Sequence, residues 1–277
     1  MTLDPALTAT LAQAARGSGR ITVLTGAGIS AESGIPTFRG PEGYWTVGSR
    51  EYHPQEMATR AMFLKDTDAV WVWYLYRMGV CRDAEPNAGH RAIVALERRF
   101  GNRFTLITQN VDNLHLRAGS SPERTYQIHG NLFFMRCSRE CSGELFPMPA
   151  AVAPKKRGDI MTDDERRQLQ CPLCGARTRP HVLWFDETYN EVHYRFESSL
   201  RCAMETELLL VVGTAGATNL PNQVAGLVFQ KGGCIVDVNL ETNPFSEMAL
   251  SSGRGFFVEA SSGSALPAIA AALMEAA

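Results

Sequence analysis

Ile21-Thr22-Val23-Leu24-Thr25-Gly26-Ala27-Gly28-Ile29-Ser30-Ala31 decides how this chain is organised. Ile21 to Leu24 is a short apolar run, the pattern of a buried strand, and it feeds a glycine turn. Gly26 to Ala31 fits G-x-G-x-x-G/A directly after a strand and before a helical segment. The first glycine permits a tight turn, and the second lets backbone approach a pyrophosphate facing N–H groups at a helix N-terminus. The usual companion acid, about 20 residues on at the end of a second strand, is missing. Glu51 has nearly that spacing but follows Gly48-Ser49-Arg50 and reads as a surface acid. Alone, the turn leaves nucleotide binding open.

Working outward, Phe104 to Thr108, Glu207 to Thr214 and Cys234 to Asn239 repeat the same character, each followed by a polar or glycine-containing turn. Helical patterns at 4–18, Ala88 to Arg99 and Pro221 to Lys231 interleave with them, with Asp4 and Pro5 as start signals for the first. That alternation predicts an α/β fold: a Rossmann-type parallel sheet covered on both faces, built from 1–40, 85–130 and 181–277. Two stretches fall outside it. Residues 41–84 hold an aromatic-rich helix, Ala69 to Val80, and 131–180 hold cysteine pairs, prolines and Lys155-Lys156-Arg157. Both read as insertions that together form a smaller domain. The basic run reads as a solvated loop tip.

The 277 residues are 45% hydrophobic and 20% charged, and 27 basic residues face 29 acidic ones for a net charge of −2. That balance provides no field for nucleic acid or an anionic membrane. No stretch approaches the roughly 18 apolar residues of a spanning helix. The N-terminus lacks the layout of a signal peptide, so a cytoplasmic location is expected. Seven cysteines cannot all pair within one chain, and four of them sit in two tight pairs.

Over a longer span, Gly26-Ala27-Gly28-Ile29-Ser30-Ala31-Glu32-Ser33-Gly34-Ile35-Pro36-Thr37-Phe38-Arg39-Gly40 resembles the cofactor loop of sirtuins, the NAD-dependent protein lysine deacylases. Thr108-Gln109-Asn110-Val111-Asp112-Asn113-Leu114-His115 matches their second signature and His129-Gly130 the third, in the family's order. The resemblance covers nearly the whole chain. It implies that the acyl oxygen of an acyl-lysine protein or peptide attacks the nicotinamide ribose of NAD, releasing nicotinamide through an alkylimidate. The acyl group then ends on the sugar as O-acyl-ADP-ribose.

His129 matches the family's base, a role that suits imidazole because its ordinary pKa lies near neutrality. Asn110 and Asp112, two apart on an extended segment, share a face and are suited to hold an amide and a ribose hydroxyl. The resemblance gives those tasks to them and extends the cofactor site to Gly26, Ala27, Gly28, Ser30, Ala31, Glu32, Gln109 and Val111. Thr37, Phe38, Arg39, Tyr44 and Trp45 match the loop over the nicotinamide ribose. Gly213, Thr214, Ala215, Asn239, Leu240, Glu241 and Ser262 match adenosine contacts, the first six at carboxyl ends of strands, where such sheets bind ligands. His115 reads as structural.

Cys137-x3-Cys141 and Cys171-x2-Cys174 are knuckle-like pairs. Four thiolates would saturate one tetrahedral Zn²⁺, making it structural. Two redox disulfides or an iron–sulfur cluster remain alternatives, and the resemblance favours zinc. Cys81, Cys202 and Cys234 read as buried thiols.

Tyr74 and Arg77, at i and i+3 of the predicted helix, share one side. Trp71-x-Trp-Tyr-x-x-Arg77 resembles class III sirtuins, whose Tyr and Arg hold a succinyl or malonyl carboxylate; Ala58 matches the small residue of their wider acyl pocket. Val182, Leu183 and Phe185 match the substrate-binding strand. Two stretches depart from the family. Phe185-Asp186-Glu187 stands where sirtuins generally have Phe-Gly-Glu, and an acid there is expected to favour basic peptides. Gly213-Thr214-Ala215-Gly216-Ala217-Thr218-Asn219-Leu220-Pro221 has lost a serine hydroxyl and is one residue longer. Competing functions are protein mono-ADP-ribosyl transfer and a non-catalytic NAD- or zinc-binding scaffold.

Overall fold

The apolar runs of the sequence become the middle of a six-stranded parallel sheet. The computed structural model describes residues 1–36, 45–47 and 50–276, with 45–47 and 50–52 described by backbone alone. Helix α1 (Pro5–Arg16) precedes β1 (Arg20–Thr25), and the Asp4 side chain caps it by accepting from the backbone of Ala6 and Leu7. A 3₁₀ helix, Ala27–Ser33, follows β1 in place of a regular α-helix. The chain then makes the hairpin β2 (Trp45–Val47) and β3 (Arg50–Tyr52) and the helices α2 (Pro54–Met57), α3 (Arg60–Lys65) and α4 (Thr67–Asp83). It returns through α5 (Ala88–Phe100), β4 (Phe104–Thr108), α6 (Leu114–Ala118) and β5 (Thr125–Gln127). A second excursion contains β6 (Gly130–Cys137), β7 (Phe146–Pro147), α7 (Asp163–Gln168) and β8 (Thr178–Val182). The last part is α8 (Glu191–Tyr194), α9 (Phe196–Met204), β9 (Thr206–Val212), α10 (Asn219–Gln230), β10 (Cys234–Asn239), α11 (Pro244–Ser251), β11 (Phe256–Glu259) and α12 (Ser262–Glu275).

The sheet order is β11-β10-β9-β1-β4-β5, parallel throughout. Register aligns Val23 with Leu106 and Leu210, and Leu210 with Val236. Because strand side chains alternate, these four face one way, with Leu7 and Leu11 of α1, Ile93 of α5 and Leu266 of α12. Leu24, Ile107, Val211 and Ile235 face the other way, against Cys202 of α9, Val224 of α10 and Phe245 of α11. Each such side chain contributes roughly 1.5–3 kcal/mol on burial, so the sheet is held mainly by area.

The two excursions share a third core. Met57, Trp71 and Tyr74 from one pack with Leu132, Met135, Met161 and Leu169 from the other. The Trp71 indole N–H donates to the Thr178 carbonyl at 3.2 Å, joining α4 to the three-stranded antiparallel sheet β7-β6-β8. The smaller domain therefore comes from two insertions folded onto one another. Lys155 departs from the reading of a solvated tip: its amine lies 2.6 Å from Glu165, whose residue closes a capping box with Thr162 at the start of α7. Among the described residues no helix is long and apolar enough to cross a membrane.

Candidate active site and metal centre

The sheet's carboxyl edge brings the three sequence signatures together. Gly28 follows β1, and a Cβ there would lie 2.7 Å from the Gly213 Cα. Beside the approach of a pyrophosphate, glycine here has a second reason: two loops touch backbone to backbone. From the 3₁₀ helix, the buried Ser30 hydroxyl donates to Asp112 Oδ2 at 2.6 Å and accepts from Asn110 Nδ2 at 3.0 Å. The Leu114 backbone N–H donates to Asp112 Oδ1 at 2.9 Å. Asn110 and Asp112 therefore meet through Ser30, and burial raises the Asp112 pKa against those hydrogen bonds.

His129 lies in the turn between β5 and β6, half-buried. Gly130 beside it has φ +87°, and a Cβ would meet the His181 carbonyl at 2.0 Å, so only glycine lets β6 approach β8 here. The ring's Nδ1 lies 3.1 Å from the Gln109 carbonyl and Nε2 lies 2.8 Å from the Tyr189 hydroxyl. A carbonyl only accepts, so Nδ1 carries the proton and Nε2 keeps its lone pair. Burial lowers the His129 pKa to about 4, against an opposing pull from the Gln109 carbonyl. At neutral pH the ring is an uncharged base.

The remaining cofactor candidates line the same edge with unequal freedom. The Gln109 amide donates to Thr25 O and Thr214 Oγ1 and accepts from Thr218 Oγ1. The Asn239 amide donates to Thr214 O at 2.9 Å, steadying the loop that also holds Gly213 and Ala215. Leu240 and Glu241 are exposed beyond β10, Ala27 and Val111 are half-buried, and Ala31 is exposed. Glu32 accepts from Ser261 Oγ, Ser262 Oγ and Gly263 N at the start of α12, just past the carboxyl end of β11. Glu32 and Ser262 thus bind each other and anchor the cofactor loop. Thr37, Phe38, Arg39 and Tyr44 lie outside the described residues, as do the side chains of Trp45 and Glu51. His115 is fully enclosed, with Nε2 3.0 Å from Thr25 Oγ1, the structural role its sequence context implies.

On the substrate side, Tyr74 is buried and its hydroxyl accepts from Trp184 Nε1 at 3.0 Å, which leaves its proton to donate. Burial raises its pKa. The Arg77 guanidinium carbon lies 5.2 Å from the Trp73 ring centre. The Ala58 carbonyl accepts from the Phe185 N–H at 2.9 Å, so the acyl-pocket candidates Ala58 and Tyr74 are both fastened to 184–185. Strand β8 ends at Val182; Leu183 donates its N–H to the His129 carbonyl, and Phe185 and Asp186 form a turn, correcting the expectation of a strand there. The Asp186 carboxylate accepts from the backbone of Arg60 at 2.7 Å and Ala61 at 3.1 Å, capping α3. The carboxylate is exposed and accepts only from uncharged N–H groups, so it keeps its negative charge.

Sequence reasoning misses three residues here. Glu187 pairs with Arg179, only 1% exposed, and accepts from Trp184 N at 3.0 Å. Tyr189, just after one stretch that departs from the family pattern, and Thr218, within the other, reach the His129 site. Glu187 is the acid of the Phe-Gly-Glu-like stretch but carries no sign of its partner, no local motif marks Tyr189 or Thr218, and only the fold assembles them.

At the far end of β6, the Cys137, Cys141, Cys171 and Cys174 sulfurs lie within 4.8 Å of one another, and none forms a disulfide. Cys137–Cys174 and Cys141–Cys171 are each 3.6 Å apart. Thiolates about 2.3 Å from a tetrahedral zinc stand about 3.8 Å from each other, so this tetrad fits Zn²⁺. All four ligands come from protein, leaving no position for chemistry. Cys81 and Cys202 are buried thiols as expected; Cys234 is only half-buried and donates to the Arg254 carbonyl.

A parallel sheet with glycine loop, buried Ser30–Asn110–Asp112 network and neutral imidazole at its carboxyl edge, beside a four-cysteine module, defines a dinucleotide-using α/β enzyme of the sirtuin type. The chain belongs to the Sir2 family, whose model matches residues 26–219. It is similar to an NAD-dependent protein deacylase of Thermus thermophilus, 41% identical over 243 residues and 87% of each chain. It is also similar to the mitochondrial NAD-dependent protein deacylase sirtuin-5 of Danio rerio, 36% identical over 82% of this chain and 76% of that one. Among solved structures, a Sir2 homolog–NAD complex matches with a TM-score of 0.80 and 33% identity, covering 99% of this chain and 95% of that one. The family uses NAD as co-substrate, and Ser30, Asn110, Asp112 and Thr214, all buried and polar at the strand ends, fit that ligand.

Proposed function

We propose that this chain is an NAD-dependent protein lysine deacylase that accepts acetyl and acidic acyl groups, succinyl or malonyl, and yields nicotinamide and O-acyl-ADP-ribose. The observation that carries the reading is His129, held neutral with its Nε2 lone pair turned toward a hydroxyl at 2.8 Å. Bound NAD would supply an electrophilic ribose carbon. Nε2 then accepts the proton of a ribose hydroxyl, and the low proton affinity of the buried ring keeps that lone pair available at neutral pH. Asn110 and Asp112, fixed by Ser30, orient the ribose and the nicotinamide carboxamide.

Acid-acyl recognition rests on Tyr74 and Arg77. The Tyr74 hydroxyl is positioned by Trp184 with its own proton to give, and a guanidinium three residues on can hold a carboxylate from a second side. We assign the acyl-lysine chain to the surface formed by Ala58, Val182, Leu183 and Phe185. The seven free cysteines fit a reducing compartment, and we place the enzyme in the cytoplasm.

The test is nicotinamide release from NAD with acetyl-, succinyl- and malonyl-lysine peptides, for the native protein, His129→Ala and Arg77→Met. His129→Ala should abolish formation of deacylated peptide and O-acyl-ADP-ribose with every peptide, because the base acts after nicotinamide has left. Arg77→Met should cut desuccinylation about 10–100-fold, the worth of a charge-assisted hydrogen bond, and leave deacetylation within about threefold. Equal loss for both acyl groups would reject acid-acyl recognition. Label transfer from NAD to protein without release of deacylated peptide would favour mono-ADP-ribosyl transfer.

A further inference from the structure

Residues within or beside the two stretches where this chain departs from the family pattern come together at His129. Tyr189 follows the Phe185-Asp186-Glu187 turn by two residues, and Thr218 lies in the lengthened loop before α10. The Tyr189 hydroxyl stands 2.8 Å from His129 Nε2, with the two rings 5.8 Å apart. Its ring stacks on Phe196 of α9 at 6.2 Å. Thr218 engages the same phenol and donates to the Gln109 side chain, while the Gln109 carbonyl accepts from His129 Nδ1. Gln109 and Tyr189 therefore hold the two ring nitrogens of His129, and Thr218 stands beside both of them.

We propose that Tyr189 is a positioning residue for His129: its hydroxyl clamps the imidazole in one orientation and one tautomer, holding at Nε2 the place that a substrate hydroxyl later takes. The inference rests on His129 being the base of the deacylation reaction. Neutral imidazole has one lone pair, and Tyr189 occupies it, so phenol and substrate hydroxyl cannot both donate to Nε2. They are donors of the same kind, so the exchange conserves the hydrogen bond, and Thr218 offers the displaced phenol a partner. Burial pushes the Tyr189 pKa up to about 12, so the phenol keeps its proton and remains a donor. The groups facing the ring are the Gln109 carbonyl from the segment after β4 and the Tyr189 phenol from the segment after β8. Among the described residues no charged group contributes to the shift of His129. A donor at Nε2 opposes protonation there, so its removal lets the ring take up a proton at higher pH and turn more freely.

The experiment is an NMR titration of ¹⁵N-histidine-labelled, full-length, ligand-free protein, comparing the native chain with Tyr189→Phe. The native His129 should appear as a single tautomer protonated on Nδ1. In Tyr189→Phe its titration should move up by about one pH unit, a tenfold change in proton affinity, with mixed tautomers. The acidic limb of kcat/KM, which reports the free enzyme, should move with it, while the limb of kcat stays in place. Thr218→Val, which loosens the phenol without touching His129, should give a smaller shift in the same direction. An unchanged titration and tautomer in both variants overturns the proposal. Undiminished O-acyl-ADP-ribose formation by His129→Ala would instead reject the base assignment, a result the tautomer measurement does not depend on.

Discussion

The parallel sheet and the segment from 130 to 187 are built on different principles. In the sheet, Val23, Leu106, Leu210 and Val236 are interchangeable contributors to buried area, 0% exposed and without polar partners to match. In the second region particular partners decide the structure: four sulfurs, the Arg179–Glu187 pair, the Trp184–Tyr74 bond and the Asp186 cap on α3. The difference teaches where substitution is tolerated. A sheet held by area yields gradually, whereas a region held by matched partners fails when one partner goes.

The largest expected effect is metal removal. A structural zinc in a small module contributes apparent free energy of about 10–16 kcal/mol, so stripping it should open the module outright. Chelation under mild denaturing conditions should release one zinc per chain and raise amide exchange in β6 and β8, with β1, β4 and β9 still protected. Equal loss of protection in both regions would erase the contrast.

Next comes Glu187→Gln. Its carboxylate joins the buried Arg179, lies 3.8 Å from Arg136 and accepts from Trp184 N. The substitution keeps the shape and strands the enclosed Arg179 guanidinium, while Arg136 keeps Glu140, at a cost of about 3–5 kcal/mol. Chemical denaturation should register that loss. A variant within about 1 kcal/mol of the native protein would mean that water compensates Arg179, and that the region is less dependent on its partners than the geometry implies.

The same contrast governs what the sequence discloses. Strands β1, β4, β9 and β10 are legible because burial on both faces demands continuous apolar runs. Edge strands β5 and β11 are not, since Thr125-Tyr126-Gln127 and Phe256-Phe257-Val258-Glu259 are short and largely half-buried. The cysteine tetrad is legible because metal chemistry fixes its spacing. Helix α7 carries a readable signal in Thr162-x-x-Glu165, a capping box, within a stretch whose hydrophobic period is weak. Arg179, Glu187 and Tyr189 act across turns and between elements, and their partners carry no spacing rule. Gly28 has, beside the motif's own reason for glycine, one the motif does not state, contact with Gly213.

The smallest expected effect tests the comparison most finely, because it restores the family's own residue. Asp186→Gly removes the carboxylate that accepts from Arg60 and Ala61, leaving Thr59 as the remaining side-chain cap of α3. Loss of a helix cap costs about 0.5–2 kcal/mol, or roughly 1–4 °C in Tm for a chain of this size. The consequence for function should exceed that figure. The Ala58 carbonyl lies two residues before the capped N–H groups and binds Phe185, so the cap and the acyl-pocket wall move together. The variant should therefore raise KM for acyl-peptides several-fold while kcat at saturation stays near native, since the Ser30–Asn110–Asp112 network and His129 are untouched. Isothermal titration with a succinyl-lysine peptide checks the binding loss directly. Unchanged KM with lowered Tm would make Asp186 a cap and nothing more, and would leave Tyr74 and Trp184 to hold the pocket wall alone.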